Sequence, residues 1–232
     1  MTAPALSVIV PALNEELNLE GTIKNIQETA PLHFEDWEIL IFDDGSTDAT
    51  GKIAERLAKA EPRIRVIHHE APKNIGGCYK EGILLATKPF LIMIPGDNEC
   101  GSEVMNKIFS LAGTADMIIP YTSNHEVRPW GRQVLSQLFV TWINWIGSQK
   151  LKYYNGAVLH RTDLLRSIPI QTDGFGYQAE ILLKLLRRGY SYREVGIEIT
   201  YRPFGKSKAV TPTSLLKMGR FLLNLTLQRS FA

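Results

Sequence analysis

"FLIMIPGDNECGSE", residues 90–103, holds five uninterrupted apolar residues, Phe90 to Ile94, that run into Pro95-Gly96. A short apolar run closed by turn residues predicts a strand buried on both faces. Two acids, Asp97 and Glu99, follow with Asn98 between them. They admit two readings. One is a solvated turn at the end of a core strand. The other is a metal site, because neighbouring carboxylates repel unless a cation or donor sits between them. Their hard oxygens suit Mg²⁺ or Mn²⁺.

The segments on either side repeat the pattern. "LSVIVP" is an apolar run ending in Pro11, followed by Leu19, Ile23 and Ile26 at helical spacing. "WEILIFDDGS" is a second strand, with Ile53, Leu57 and Ala60 marking the helix after it. "RIRVIHH" predicts a third strand and "IGGCYKEGILLAT" a third helix, weakened by its glycines. Ser102 is placed to cap a helix carrying Val104, Ile108 and Leu111, and "DMIIPY" is a fifth strand. Repeated βα units with apolar strands predict an α/β fold with a mostly parallel sheet between helices. Farther on, "GYQAEILLKLLRRG" predicts a helix burying Ile181, Leu182, Leu185 and Leu186, and "SYREVGIEITYRP" an edge-type strand.

Polar residues gather directly after the strands: Asn14 and Glu15, Asp43 and Asp44, Lys73 and Asn74, Asp97 and Glu99. In an open α/β sheet, ligands bind outside the carboxyl ends of the strands. "FDDGSTDAT", residues 42–50, reads either as turn and cap or as carboxylates that accept from a base or ribose. "KNIGGCYKEG", residues 73–82, is neither a P-loop nor a dinucleotide fingerprint. Its glycines serve a tight turn or the close approach of a ligand.

Composition narrows the classes. The chain has 232 residues, of which 44% are hydrophobic and 22% charged, as in an ordinary soluble domain. Its net charge of +2 does not suggest a general nucleic-acid binder. Cys78 and Cys100 lack metal-ligand spacing, so the expected location is a reducing cytoplasm. No signal peptide and no membrane-spanning run is expected. Two apolar segments, 134–147 with Phe139, Trp142 and Trp145, and the C-terminal stretch from about 211 to 232, have two readings. They either lie on a membrane interface or pack on the core or a second copy.

"SVIVPALNEELNL", "EILIFDDGSTDAT", "NIGGCYKEG" and the acid pair after a strand, in this order, resemble glycosyltransferase family 2 over nearly the whole chain. The resemblance implies the GT-A nucleotide-sugar fold in a single domain, residues 1–232. About 1–105 would form the nucleotide-sugar half and 106–210 the acceptor half, with a C-terminal amphipathic helix beyond. It implies an inverting, metal-dependent hexosyl transfer from a UDP- or GDP-linked sugar. Pro11, Leu13, Asn14, Glu15, Asp43, Asp44, Lys73, Asn74, Gly76, Asp97 and Asn98 would line the donor site. Asp97 and Glu99 would replace the family's D-x-D motif as ligands for Mg²⁺ or Mn²⁺.

"RPFGKSK", residues 202–208, and the segment "TDGFGYQAE" before it look like the closing region of the polyprenyl-phosphate (dolichyl-phosphate) sugar transferase branch. That likeness implies a lipid-phosphate acceptor, or another membrane-associated glycan, met at a membrane surface. Arg128, Arg132, Arg202, Ser207 and Lys208 would bind phosphate. Asp173 and Glu180 lie where the family keeps acceptor-side acids and are the candidates, with Asp97, for catalytic roles. Glu180 reads equally as a residue that orients its loop, and Asp173 as a turn residue. Two alternatives belong to other classes: a nucleotidyltransferase on a similar core, which would carry a Gly-rich basic signature after the first strand, and a sugar-nucleotide-binding protein without turnover.

Overall fold

A computed structural model describes residues 4–124, 130–174, 176–198 and Gly219. Seven strands form one sheet in the order β3-β2-β1-β4-β6-β5-β7. They are β1 (Ala5–Ala12), β2 (Asp36–Asp43), β3 (Ile64–His68), β4 (Phe90–Met93), β5 (Met117–Thr122), β6 (Leu159–Arg161) and β7 (Tyr192–Ile197). β1 pairs in parallel with β2 and β4, β2 with β3, and β5 with β7. Only β6 runs the other way, antiparallel to both β4 and β5. The expected α/β architecture with a mostly parallel sheet is therefore present.

Seven α-helices cover the sheet among the described residues: α1 (Leu19–Thr29), α2 (Thr50–Ala60), α3 (Asn74–Leu85), α4 (Ser102–Phe109), α5 (Trp130–Gly147), α6 (Thr162–Arg166) and α7 (Tyr177–Arg187). Strand side chains alternate between the two faces. Val8, Val10, Ile39, Ile41 and Ile92 pack with α1 and α4, whereas Ile9, Leu40, Phe42, Leu91 and Met93 pack with α3, α5 and α7. This two-sided burial is why the strands read as continuous apolar runs.

The glycines that weaken α3 as an isolated helix have a packing role. A Cβ on Gly82 would lie 2.3 Å from Cδ1 of Ile9, so this helix seats on β1 only without a side chain there. One expectation is corrected. Ser102 does not cap α4: it is the first helical residue, after Gly101, and makes no capping side-chain bond. Ile53, Leu57 and Ala60 all lie in α2, as expected, with Ala60 exposed at its end and Ala54 buried. β6, at three residues, is a strand the sequence pattern does not announce.

Candidate functional site

Because β1 to β4 are parallel, their carboxyl ends share one edge, and the loops that follow converge there. Backbone bonds continue past the strand ends: Asp44 N–H donates to the Ala12 carbonyl at 2.8 Å and Gly96 N–H to that of Pro11 at 3.0 Å. Asn14, Asn74 and Asn98, one in each of three edge loops, have φ of 52°, 65° and 59°. Asn is the non-glycine residue that best tolerates this left-handed region.

The loops after β1 and β2 are latched together. Asn14 Oδ1 accepts from Thr47 N–H at 2.8 Å, and Ser46 Oγ accepts from Asn14 N–H at 3.0 Å. Thr50 Oγ1 accepts from Glu15 N–H at 2.8 Å, while Ala49 N–H donates to Glu16 at 2.9 Å. Glu15 is buried and accepts from the Asn18 amide at 2.8 Å. Asp43 accepts from Ser46 N–H at 3.2 Å and faces His68 Nδ1 at 2.9 Å. The side chains of Asn14, Glu15 and Asp43 thus brace the loops after β1 and β2, and Pro11 lies opposite Phe42 near the end of β1.

Asp44 anchors the loop after β3. Its carboxylate accepts from Lys73 N–H at 2.8 Å and from Asn74 N–H at 3.0 Å. It also faces Nδ1 of the buried His69 at 2.7 Å. The other ring nitrogen of His69 faces Glu81 at 3.2 Å, and Glu81 pairs with Lys73 Nζ at 2.6 Å. Asp44, His69 and Cys78 bring three ligand-type atoms together, the one such group among the described residues. The donors and acceptors there already satisfy one another. Burial, with the charge of Asp44, pushes the Cys78 thiol well above its ordinary range, so it stays protonated beside that carboxylate. His69 and Glu81 were not singled out from the sequence. His69 directly follows a strand, the same signal that marks the other edge residues.

Asp97 and Glu99 follow β4 on the same edge, both half-buried. Asp97 Oδ1 accepts from Glu99 N–H at 3.2 Å, and Asn98 Oδ1 accepts from the Asn25 amide at 2.9 Å. This fixes Asn98 against α1 and leaves two acids two residues apart on a braced turn. Burial first, and the Asp97 charge second, push the Cys100 thiol up to about 12. The donor set of two carboxylates fits a hard divalent cation.

The acceptor-side acids differ from each other. Glu180 is buried and accepts from Gln171 N–H at 3.0 Å, Thr172 N–H at 2.9 Å and Lys184 Nζ at 2.5 Å. Burial raises its pKa, but those bonds outweigh it and hold the carboxyl below its usual value. Asp173 is exposed and ion-paired with Lys80. Its carbonyl accepts from Gly76 N–H at 2.9 Å, so the 172–174 loop docks on the start of α3. Arg128, Arg202, Ser207, Lys208 and, Gly219 apart, the C-terminal segment lie outside the described residues, as does the side chain of Arg132.

Residues 7–166 match glycosyl transferase family 2. The polyprenol monophosphomannose synthase of Mycolicibacterium smegmatis is 29% identical over 218 residues, spanning 87% of this chain and 79% of that one. The undecaprenyl-phosphate mannosyltransferase of Micrococcus luteus is 27% identical over 215 residues, spanning 86% and 85%. Among solved structures, glucosyl-3-phosphoglycerate synthase from Mycobacterium tuberculosis, in complex with Mn²⁺, UDP and phosphoglyceric acid, superposes with a TM-score of 0.72. It is 19% identical, over 97% of this chain and 78% of that one. A mannosyltransferase from Pyrobaculum calidifontis, in complex with GDP-Man and Mn²⁺, gives a TM-score of 0.70 at 17% identity, over 100% of this chain and 66% of that one. At these identities the solved structures establish the shared fold.

Proposed function

The chain belongs to glycosyl transferase family 2, and from that premise we propose that it transfers a hexose from a nucleoside-diphosphate sugar to the phosphate of a polyprenyl lipid. The observation that carries the acceptor class is the state of the two acceptor-side acids. Glu180 spends both oxygens on the 171–172 backbone and Lys184, and Asp173 is paired with Lys80. A hydroxyl acceptor needs an available general base within hydrogen-bond reach. A phosphate monoester is already an anion and attacks without one. The two curated relatives that span most of the chain are named for polyprenol-type phosphates, which supports the same reading.

In this reading the loops after β1 and β2 hold the nucleoside, with Asp44 keeping the 73–74 backbone in place beneath it. Asp97 and Glu99 would hold Mg²⁺ or Mn²⁺, which when bound neutralises charge on the diphosphate leaving group. Glu180 is a positioning residue: it fixes the 171–172 backbone and so the place of Asp173. Arg128, Arg132, Arg202, Ser207 and Lys208 would receive the acceptor phosphate by charge-assisted hydrogen bonds. A single displacement then inverts the anomeric centre.

The test is a thermal-shift screen of UDP-, GDP- and dTDP-sugars with and without Mn²⁺, followed by transfer of labelled sugar to a short-chain polyprenyl phosphate in detergent. One donor should stabilise the protein only with the metal and label the lipid. Transfer to a hydroxyl acceptor but never to the phosphate would overturn the acceptor assignment.

A further inference from the structure

Two histidines, His68 and His69, stand at the end of β3 opposite the two acids at the end of β2. The ladder pairs Asp43 with His68, and the His69 N–H donates to the Asp43 carbonyl at 2.9 Å, which carries the register past the strand. Successive side chains leave opposite faces of a sheet. Asp43 and His68 therefore turn toward α2, and Asp44 and His69 toward α3.

Each ring ends between two carboxylates. His68 Nδ1 faces Asp43 at 2.9 Å, and its Nε2 faces Glu55 of α2 at 3.0 Å. His69 Nδ1 faces Asp44 at 2.7 Å, and its Nε2 faces Glu81 of α3 at 3.2 Å. An ionised carboxylate only accepts, and a neutral imidazole carries one N–H. All four contacts are hydrogen bonds only when both rings hold two protons. The bonds to Glu55 and then Asp43 raise the pKa of His68, and the bond from Lys73 holds the Glu81 carboxyl below its usual value. Gly51 leaves room for the first pair: a Cβ there would lie 2.5 Å from Asp43 Oδ2 and 3.4 Å from the His68 ring. The other charged groups about His68 are Asp48, Lys52, Arg56 and Lys59, which line one cavity with it. Beside His69 are Lys73, through Glu81, and the Cys78 thiol.

We infer that His68 and His69 form a proton-dependent clamp on the two donor-side acids. Doubly protonated, they hold Asp43 and Asp44, and through Asp44 the 73–74 backbone, in the arrangement that receives a nucleoside-diphosphate sugar. This deepens the donor reading above and rests on it. A ring that loses one proton sets a bare nitrogen against a carboxylate, so one bond becomes a repulsive contact. At His69 the strain falls on Asp44 Oδ1, the same atom that accepts from Lys73 N–H. The clamp is closed at low pH and opens as pH rises through the histidine range. Both histidines are positioning residues.

Three measurements on the full chain test the clamp. Histidine ¹⁵N NMR of the ligand-free protein should find both nitrogens of both rings protonated at about pH 6, and one proton lost from each by about pH 8.5. Hydrogen exchange at the Lys73 and Asn74 amides, corrected for its intrinsic pH dependence, should lose protection over the same span. Calorimetry with Mg²⁺ uses UDP-glucose and GDP-mannose, whose diphosphates do not titrate in this range. The Kd of the one that binds should rise about tenfold between those two pH values. Glu55→Gln with Glu81→Gln gives each ring an amide that can donate to it, so a neutral ring keeps both contacts. Circular dichroism should show this double variant folded, with an affinity that changes less than about twofold over the span. Rings with a single proton at pH 6 overturn the proposal. So does an affinity that stays flat with pH in the wild type, or falls equally in the double variant. Rings and amides that respond together while neither sugar nucleotide binds overturn the donor reading and leave the clamp standing.

Discussion

Replacing Gly76 by Ala tests whether the 172–174 loop is held where the chemistry needs it. Gly76 lies in the first turn of α3, and a Cβ there would sit 2.6 Å from the Thr172 carbonyl oxygen and 2.7 Å from the Asp173 carbonyl carbon and oxygen. Ala in a helix ordinarily gains roughly 0.5–1 kcal/mol over Gly. Here the obstructing atoms are backbone, and the Thr172 carbonyl must retreat by about 0.8 Å to reach ordinary contact. Overpacking of this kind costs about 1–3 kcal/mol. The balance is a net loss centred on about 1.3 kcal/mol and at most about 2.5 kcal/mol, the central value corresponding to roughly 3–5 °C in Tm for a domain of this size. The larger effect should be on rate. In the proposed function this loop lines the acceptor side, where a displacement approaching 1 Å lowers turnover on the order of 10²-fold. Urea denaturation and steady-state transfer of labelled sugar measure the two effects separately. Gly174→Ala is the control, because a Cβ at that position of the same loop meets nothing within 4 Å. A Gly76→Ala protein as active and as stable as wild type, or a Gly174→Ala protein equally impaired, refutes the reasoning.

Asp97→Asn should lower turnover at least about 10²-fold while circular dichroism and Tm stay at wild-type values. It should also abolish Mn²⁺-dependent stabilisation by the donor in thermal shift. Glu180→Gln places an amide NH₂ against a backbone N–H of residue 171 or 172, a mismatch of about 1–3 kcal/mol in urea midpoints. The wild-type Glu180 carboxyl is held low, so its contribution is intact above the unfolded carboxylate pKa of about 4.3 and is lost as pH falls through the folded value. Loss of stability between pH 5 and 3 should therefore be shallower in the Gln variant. His160 is fully buried, bonded to the Gln178 amide at 2.8 Å, and burial pushes its pKa down to about 3. The unfolded chain takes up a proton below about pH 6.5 that the native state refuses, so stability falls with acid by at most about 1.4 kcal/mol per pH unit. Urea midpoints of His160→Gln should flatten between pH 6.5 and 4.

The sheet was legible because strands buried on both faces leave a one-dimensional signature, an apolar run closed by turn residues. The edge that carries the site was legible for the same reason, since parallel strands put every post-strand loop on one side. What could not be read are features without local period. β6 has three residues and is defined by its pairing with Leu91 and Met117, far away in the chain. The link between Gly76 and Asp173 spans nearly a hundred residues and shows in sequence only as a glycine that weakens a helix. His69 is not marked in the sequence, because a histidine after a strand carries no motif. Its role comes from lying between Asp44 and Glu81, which only the fold brings together.

The acids at the site divide by what already occupies their oxygens. Asp44 and Glu180 each face three donor groups, and Asp43 faces two, so these carboxylates are committed to shaping loops. Removing any of them would leave part-buried N–H groups without their partner, a structural loss before a chemical one. Asp97 and Glu99 stand on a turn of their own, braced by the Asn98 side chain, which accepts from the Asn25 amide, and by the Glu99 N–H, which donates to Asp97. In the proposed function these two neighbouring acids, beside three loops organised by other carboxylates, would receive a cation together with the ligand it neutralises. Glu at the second position reaches one methylene farther than Asp.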